Sequence, residues 1–141
     1  MTIQAHRYHD ISCGHRVCGH ESKCAHLHGH NYRVHFTIVP SVALDGLGRV
    51  LDFSVMKTSL CEWLELTWDH RFLIWERDPW RVALLEVDKL GVCVVPFNPT
   101  AENMADHLLR VIAPKRLAGY PVVCTEVRIE ETMRCHATAK L

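Results

Sequence analysis

Hydrophobic and polar positions alternate most clearly from His30 to Val39. There Val34, Phe36 and Ile38 interleave with Arg33, His35 and Thr37, the period of a half-buried strand. An earlier strand is expected from Tyr8 to Gly14. Pro40 and the stretch from Leu44 to Gly48 carry turn residues, and the short piece from Arg49 to Leu51 is expected to pair back as a hairpin. A helix is predicted from Ser54 to Thr67, with Met56, Leu60, Trp63 and Leu64 on one stripe and Lys57, Glu62 and Glu65 facing water. Asp78-Pro79 has the form of a helix start, and that short helix should end near Gly91. Val92 to Val95 follows as a short buried extended run. Asn98-Pro99-Thr100 opens a further helix on which Met104, Leu108 and Val111 share a face, with Pro114 beyond its end. The last clear element is a strand from Val122 to Glu131. There Val123, Thr125, Val127 and Ile129 alternate with Cys124, Glu126, Arg128 and Glu130. The order is strands, helices, then a strand. This favours an α+β fold in which helices cover one side of an antiparallel sheet.

Composition narrows the class. The 141 residues suit one domain spanning 1–141, and no repeat, low-complexity tract or linker divides them. The formal net charge is +0, which speaks against a nucleic-acid face. No apolar leader opens the chain and no run reaches the length of a membrane span, so no membrane partner is expected. The seven cysteines are odd in number and irregularly spaced, which argues against a disulfide framework and for a reducing, cytoplasmic setting. Eleven histidines stand out, seven of them crowded from His9 to His35. They point to metal or acid–base chemistry in the N-terminal third.

His28-Gly29-His30 places two imidazoles at i and i+2, which on extended chain project to the same side. The glycine between them is expected to let the backbone bend close to an ion. His15, at the end of the first strand, offers a third imidazole. Three histidines without a fixed fourth ligand describe a catalytic zinc site, which keeps one position open. On spacing alone His20 and His26 are rival ligands. Cys24 could be a ligand, an inert thiol or a base.

The motifs Gly14-His15-Arg16, Gly19-His20-Glu21-Ser22-Lys23-Cys24 and Leu27-His28-Gly29-His30-Asn31-Tyr32 occur in order along the chain. They are followed by Leu51-Asp52-Phe53, Trp68-Asp69-His70, Asn98-Pro99-Thr100-Ala101-Glu102-Asn103 and Glu130-Glu131-Thr132. Together these resemble the 6-pyruvoyl-tetrahydropterin synthase family from about His9 to Thr132. Three residues, Ala25, His26 and Leu27, separate Cys24 from His28. That spacing is similar to the bacterial 6-carboxytetrahydropterin synthase branch, which serves queuosine and other 7-deazaguanine pathways.

The resemblance implies that His15, His28 and His30 hold Zn2+ and that Cys24 moves protons, assisted by Asp69 and His70. Glu131 would anchor the pterin ring and Thr100 would add a second contact. Glu102 suits a helix-dipole role equally well. The implied substrate is 7,8-dihydroneopterin triphosphate, converted to 6-carboxy-5,6,7,8-tetrahydropterin with release of triphosphate and acetaldehyde. Arg16, Lys23 and Arg71 are candidates to meet the triphosphate. The implied architecture is the tunnelling fold, an antiparallel four-stranded sheet with two main helices on one side. Copies of it assemble into homo-oligomers, usually hexamers, with active sites at subunit interfaces. The segment from Phe72 to Gly91, with Trp75 and Trp80, is longer than the compact members require. It could form a lid, an interface or a surface helix. Two rival functions stand beside this one: the pyruvoyl-forming reaction, and a non-catalytic zinc or pterin module with a closed metal site.

Overall fold

A computed structural model describes residues 2–141. Two long strands form its centre, β1 (Ala5–His15) and β2 (His28–Pro40). They run antiparallel in an unbroken register from Ala5 opposite Ile38 to His15 opposite His28. Alternation divides their side chains. Ile11, Cys13, Tyr32, Val34 and Phe36 are buried beneath the helices, while Ser12, Asn31 and Arg33 lie on the opposite, open face. β5 (Val122–Glu130) pairs antiparallel with β2, and β6 (His136–Lys140) with β5.

Two helices cover the sheet on one side. The first, α1, spans residues 53–67. Asp52 caps it by accepting from the Ser54 N–H, and a π-helical turn, Lys57–Cys61, lies in its middle. Met56, Leu60 and Leu64 are fully buried on its inner stripe, as the 3.6-residue period predicts. Between this helix and the last strands the chain makes a crossover. β3 (Phe72–Trp75) lies parallel to the end of β1, a short helix α2 (Arg81–Val87) follows, and β4 (Val92–Val95) lies parallel to β3. The third helix, α3, spans residues 101–116. Thr100 caps it, and Met104, Ala105, Leu108 and Leu109 face inward.

Several expectations from the sequence need correcting. The sheet has six strands, in the order β4-β3-β1-β2-β5-β6, where four were expected, and it is mixed because β3 and β4 are parallel additions at one edge. Counting the short α2, there are three helices. The 72–91 segment is neither a lid nor only a surface helix: it is a β–α–β crossover that widens the sheet. Arg49 to Leu51 does not pair as a strand. Asp45 accepts from the Leu47 and Arg49 N–H groups and pairs with the Arg49 side chain, so the turn satisfies its own polar groups.

Pro114 lies inside α3. The preceding π turn, Leu108–Ile112, widens the backbone where the proline ring would crowd a carbonyl one turn back. The alternation along β5 is also interrupted. Its register against β2 shifts between Thr37 and Ile38, so Val122 and Cys124 point inward on one side of the bulge and Val127 and Ile129 on the other. Among the described residues, no helix is long and apolar enough to cross a membrane.

Candidate metal centre and active site

The end of the β1–β2 ladder builds the centre. His15 and His28 are direct partners across it, and His30 lies opposite Cys13, one step further along the same face. The three rings crowd together, with centroids 4.5, 5.2 and 5.0 Å apart. One ligand atom from each histidine lies within 4.8 Å of the others, and this is the one cluster of that kind among the described residues.

Hydrogen bonds fix which nitrogen points inward. His15 Nδ1 is 2.6 Å from the Pro99 carbonyl oxygen, and His28 Nδ1 is 2.7 Å from that of His26. A carbonyl only accepts, so each Nδ1 donates and Nε2 is left as the nitrogen that faces the centre. Those two Nε2 atoms face each other at 3.1 Å. Two ring nitrogens at that distance need either a shared proton or a metal ion between them. A tetrahedral zinc with bonds of about 2.0–2.1 Å would set its ligand atoms roughly 3.3 Å apart. His30 Nε2 is buried with no hydrogen-bond partner, and the Glu131 carboxylate is 3.4 Å from it without bonding. The donor set therefore fits a divalent, nitrogen-loving ion such as Zn2+.

Electrostatics point the same way. Burial pushes His15 down to about 4, against a smaller opposing pull from its bond to the Pro99 carbonyl. Burial also lowers His30. Both rings are thus neutral, as metal ligands must be. Tyr32, packed edge-on against His15 and His30, is pushed up by burial, then by the nearby Cys13, Glu131 and Cys24. Its hydroxyl therefore stays protonated.

Beside the tripod lies a cavity of about 260 Å³, lined by Cys24, Thr100, Glu131, Val17, His20 and Cys135 among others. A short 3-10 turn, Lys23–Ala25, carries Cys24, and the Val17 N–H holds its carbonyl at 2.8 Å. Glu131 follows the end of β5 on the face of Val127 and Ile129, as the alternation predicts. The Cys135 carbonyl pins its backbone N–H at 3.0 Å. Thr100 Oγ1 accepts from the Asn103 N–H at the start of α3, so this hydroxyl caps a helix while facing the cavity. Asn98, whose role has no signal in the sequence, clasps both backbone groups of Cys18 and accepts from Asn103 through its own carbonyl. With the Pro99 carbonyl it joins the start of α3 to the metal centre.

Asp69 and His70 are not part of this cavity. They lie after α1, beside β1, where Ser12 donates its N–H to Asp69 and its carbonyl accepts the His70 N–H. His70 adopts φ 57°, a left-handed conformation no other non-glycine residue shows among those described. Its side chain lines two clefts with Ser12 and Asn31 on the open face of the sheet, and one of them also reaches His30. His70 Nδ1 is 2.8 Å from Asp69 Oδ2. Partial burial pushes Asp69 up, but the Ser12 N–H and His70 outweigh it and hold the carboxyl below its ordinary range.

The rival ligands fall away on geometry. His20 Nδ1 accepts from the Ser22 N–H, and His26 contributes its carbonyl rather than its ring. Neither they nor Cys24 join the converging trio. Gly29 has a different role from the one expected. It lies on the face away from the ion, where a Cβ would meet the Cys13 carbonyl oxygen at 3.0 Å, so it permits the close approach of β1 and β2. Among the candidates for the triphosphate, Arg16 is buried against Asp78 and cannot reach a phosphate in this conformation.

An α+β sheet with helices on one side and a three-imidazole centre at the mouth of its central hairpin defines a metalloenzyme-like scaffold. The family model for 6-pyruvoyl tetrahydropterin synthase matches residues 4–140, nearly the whole chain. A 6-carboxy-5,6,7,8-tetrahydropterin synthase from Rickettsia typhi is 35% identical over 135 residues, covering 94% of this chain and 96% of the relative. The enzyme of that name from Rickettsia bellii is 34% identical over 134 residues, covering 94% and 96%. An uncharacterised protein from Wolinella succinogenes has a crystal structure that superposes with a TM-score of 0.86 at 25% identity, covering 99% of this chain and 98% of that one. The 6-pyruvoyl tetrahydropterin synthase of Caenorhabditis elegans shares the fold, with a TM-score of 0.70 at 22% identity over 100% and 96% of the two chains. The chain belongs to the 6-pyruvoyl tetrahydropterin synthase family, and its fold is the tunnelling fold of that family.

Proposed function

We propose that the protein, as one catalytic domain spanning residues 1–141, is a zinc-dependent 6-carboxytetrahydropterin synthase acting in 7-deazaguanine (queuosine) biosynthesis in the cytoplasm. It converts 7,8-dihydroneopterin triphosphate and one water to 6-carboxy-5,6,7,8-tetrahydropterin, with release of triphosphate and acetaldehyde. The observation that carries this reading is the convergence of one ring nitrogen from each of three histidines, next to Glu131, which also lines a cavity with Cys24 and Thr100. The names of the relatives, and the three-residue spacing from Cys24 to His28, favour the carboxy product over the pyruvoyl one.

His15, His28 and His30 hold the ion, and the carbonyls of Pro99 and His26 orient two of the rings. When bound, zinc supplies a Lewis acid that polarises the substrate's side-chain hydroxyls and acidifies the neighbouring C–H bonds. Glu131 accepts two parallel hydrogen bonds from the pterin 2-amino and N3–H groups, a match for a bidentate carboxylate. Thr100 lies beside it at the helix start. Cys24 acts as the general base that takes a proton from the substrate side chain. Asp69 accepts from His70 Nδ1 and so leaves His70 Nε2 free to exchange a proton. Since this pair occupies the open face, it serves the cavity of a neighbouring copy in a homo-oligomer, with the hexamer as the expected assembly.

A closed-site binding module is disfavoured because, among the described residues, only three ligands converge. Zinc-loaded protein incubated with dihydroneopterin triphosphate should yield 6-carboxytetrahydropterin by mass spectrometry. A pyruvoyl product would shift the assignment within the family. Absence of turnover with zinc bound would sink the enzymatic reading.

A further inference from the structure

The residue after the ligand His15 is Arg16, and its charge is almost entirely out of water. Its side chain is 7% exposed, and that of its partner Asp78 is 1% exposed, with Arg16 Nε 2.8 Å from Asp78 Oδ2. The N–H is not aimed along that line, so neither atom completes a hydrogen bond. The charge attraction and a third residue hold the pair instead. Trp80 lies over the guanidinium, with its ring centroid 3.6 Å from Arg16 Cζ. Asp78 is itself fixed. Its Oδ1 accepts from the Trp80 N–H at 2.8 Å, its own N–H donates to the Trp75 carbonyl at 2.9 Å, and its carbonyl accepts from Arg81 at 3.0 Å. One carboxylate oxygen therefore shapes the turn and the other faces the arginine.

This clamp lies at the root of the loop that carries the active-site thiol. Val17, next along the chain, donates its N–H to the Cys24 carbonyl at 2.8 Å, and its own carbonyl accepts from His20 at 3.1 Å. Cys18 is tied to Asn98 through both backbone groups. Asn98 thus holds the loop from the α3 side, and the Asp78–Trp80 turn holds it from the crossover side.

We propose that Asp78 and Trp80, acting through Arg16, are positioning residues that set where Cys24 stands relative to the metal centre. This rests on the catalytic role assigned to Cys24 above. It gives the crossover segment a function beyond widening the sheet: its turn fixes the geometry of the proton-transfer step.

Trp80 is 43% exposed, so Trp80→Ala removes the roof without hollowing a core. In zinc-loaded protein its kcat should fall roughly 10- to 100-fold, the range expected for a misplaced reacting group, with KM and zinc content unchanged. Trp80→Phe, which keeps an aromatic face, should recover most of the loss. Asp78→Asn keeps an acceptor for the Trp80 N–H but drops the charge, and it should lower kcat in the same way. A second readout is independent of turnover: the rate at which iodoacetamide alkylates Cys24, measured by peptide mass mapping. That rate should change several-fold in Trp80→Ala and return toward the parent value in Trp80→Phe. Unchanged kcat and alkylation in both Trp80 variants would overturn the proposal. So would a parallel loss of zinc and a rise in KM that Trp80→Phe does not repair. Should the parent protein turn over no pterin, the assigned reaction fails, while the alkylation series still decides whether the clamp positions Cys24.

Discussion

Lowering the pH on metal-free protein loads a specific weakness into the site. His15 is 1% exposed, and burial drives its pKa from the usual 6.5 to about 4. Between those values the unfolded chain binds a proton at this position and the folded one does not, so folding loses stability as the pH falls. Integrated across the window, His15 alone removes about 3 kcal/mol between pH 6.5 and pH 4. Above pH 6.5 both states are neutral there and the contribution is flat. Burial lowers His30, His6 and His107 too, which adds slope of the same sign. The assay is urea unfolding of EDTA-treated protein at half-unit pH steps, repeated on His15→Gln, which cannot titrate at that position. The parent curve should fall more steeply than the variant's by about 3 kcal/mol over the window. Parallel curves would show that His15 takes up its proton without cost, and the account of a dry, neutral imidazole would be wrong. Zinc added in excess should raise the parent curve and steepen it, because a bound ion keeps protons off the folded chain's imidazoles while the unfolded chain still takes them up.

Three further outcomes test the site. Cys24→Ala should keep zinc at the parent stoichiometry, since the tripod does not include the thiol, while kcat falls at least about 100-fold, measured by metal analysis and product formation. Loss of zinc in that variant would make Cys24 a ligand. Glu131→Gln replaces one acceptor oxygen with a donor facing the pterin's own donors. It should raise KM roughly 30-fold, for about 2 kcal/mol of charged hydrogen bonding, with kcat less affected. Gly29→Ala places a Cβ 3.0 Å from the Cys13 carbonyl oxygen and 3.4 Å from Gly14 Cα, so β1 and β2 must part. The expected loss is about 1–3 kcal/mol in urea unfolding, with weaker zinc retention against a chelator.

The parts of the fold legible in the sequence are those with a clean period. β2 and α1 were readable because their inward residues recur at two and at three to four positions. β3 was not, because Phe72-Leu73-Ile74-Trp75 is a four-residue apolar run without alternation, wedged between a His70 turn and Asp78-Pro79. β6 was missed for a related reason: His136-Ala137-Thr138-Ala139-Lys140 offers only small apolar side chains to the core. At the site, resemblance named three histidines and the ladder register brings them together. What sequence could not carry was their support. The Pro99 carbonyl reaches His15, and Asp78 reaches Arg16, across separations that only the packing of α3 and the crossover creates. Nor could it place Asp69 and His70, whose motif is intact but whose side chains face the other side of the sheet from Cys24.

All three imidazoles are carried by one two-stranded ladder, on residues whose facing depends on register: His15 opposite His28, and His30 opposite Cys13. A slip of a single residue between β1 and β2 would offset these partners, turning the imidazoles of one strand away from those of the other. The tripod therefore exists only in chains that have zipped this hairpin correctly, and an ion taken up there is a proofreader of strand pairing. Metal supply during synthesis would then govern how much correctly registered chain accumulates as well as how much of it is active.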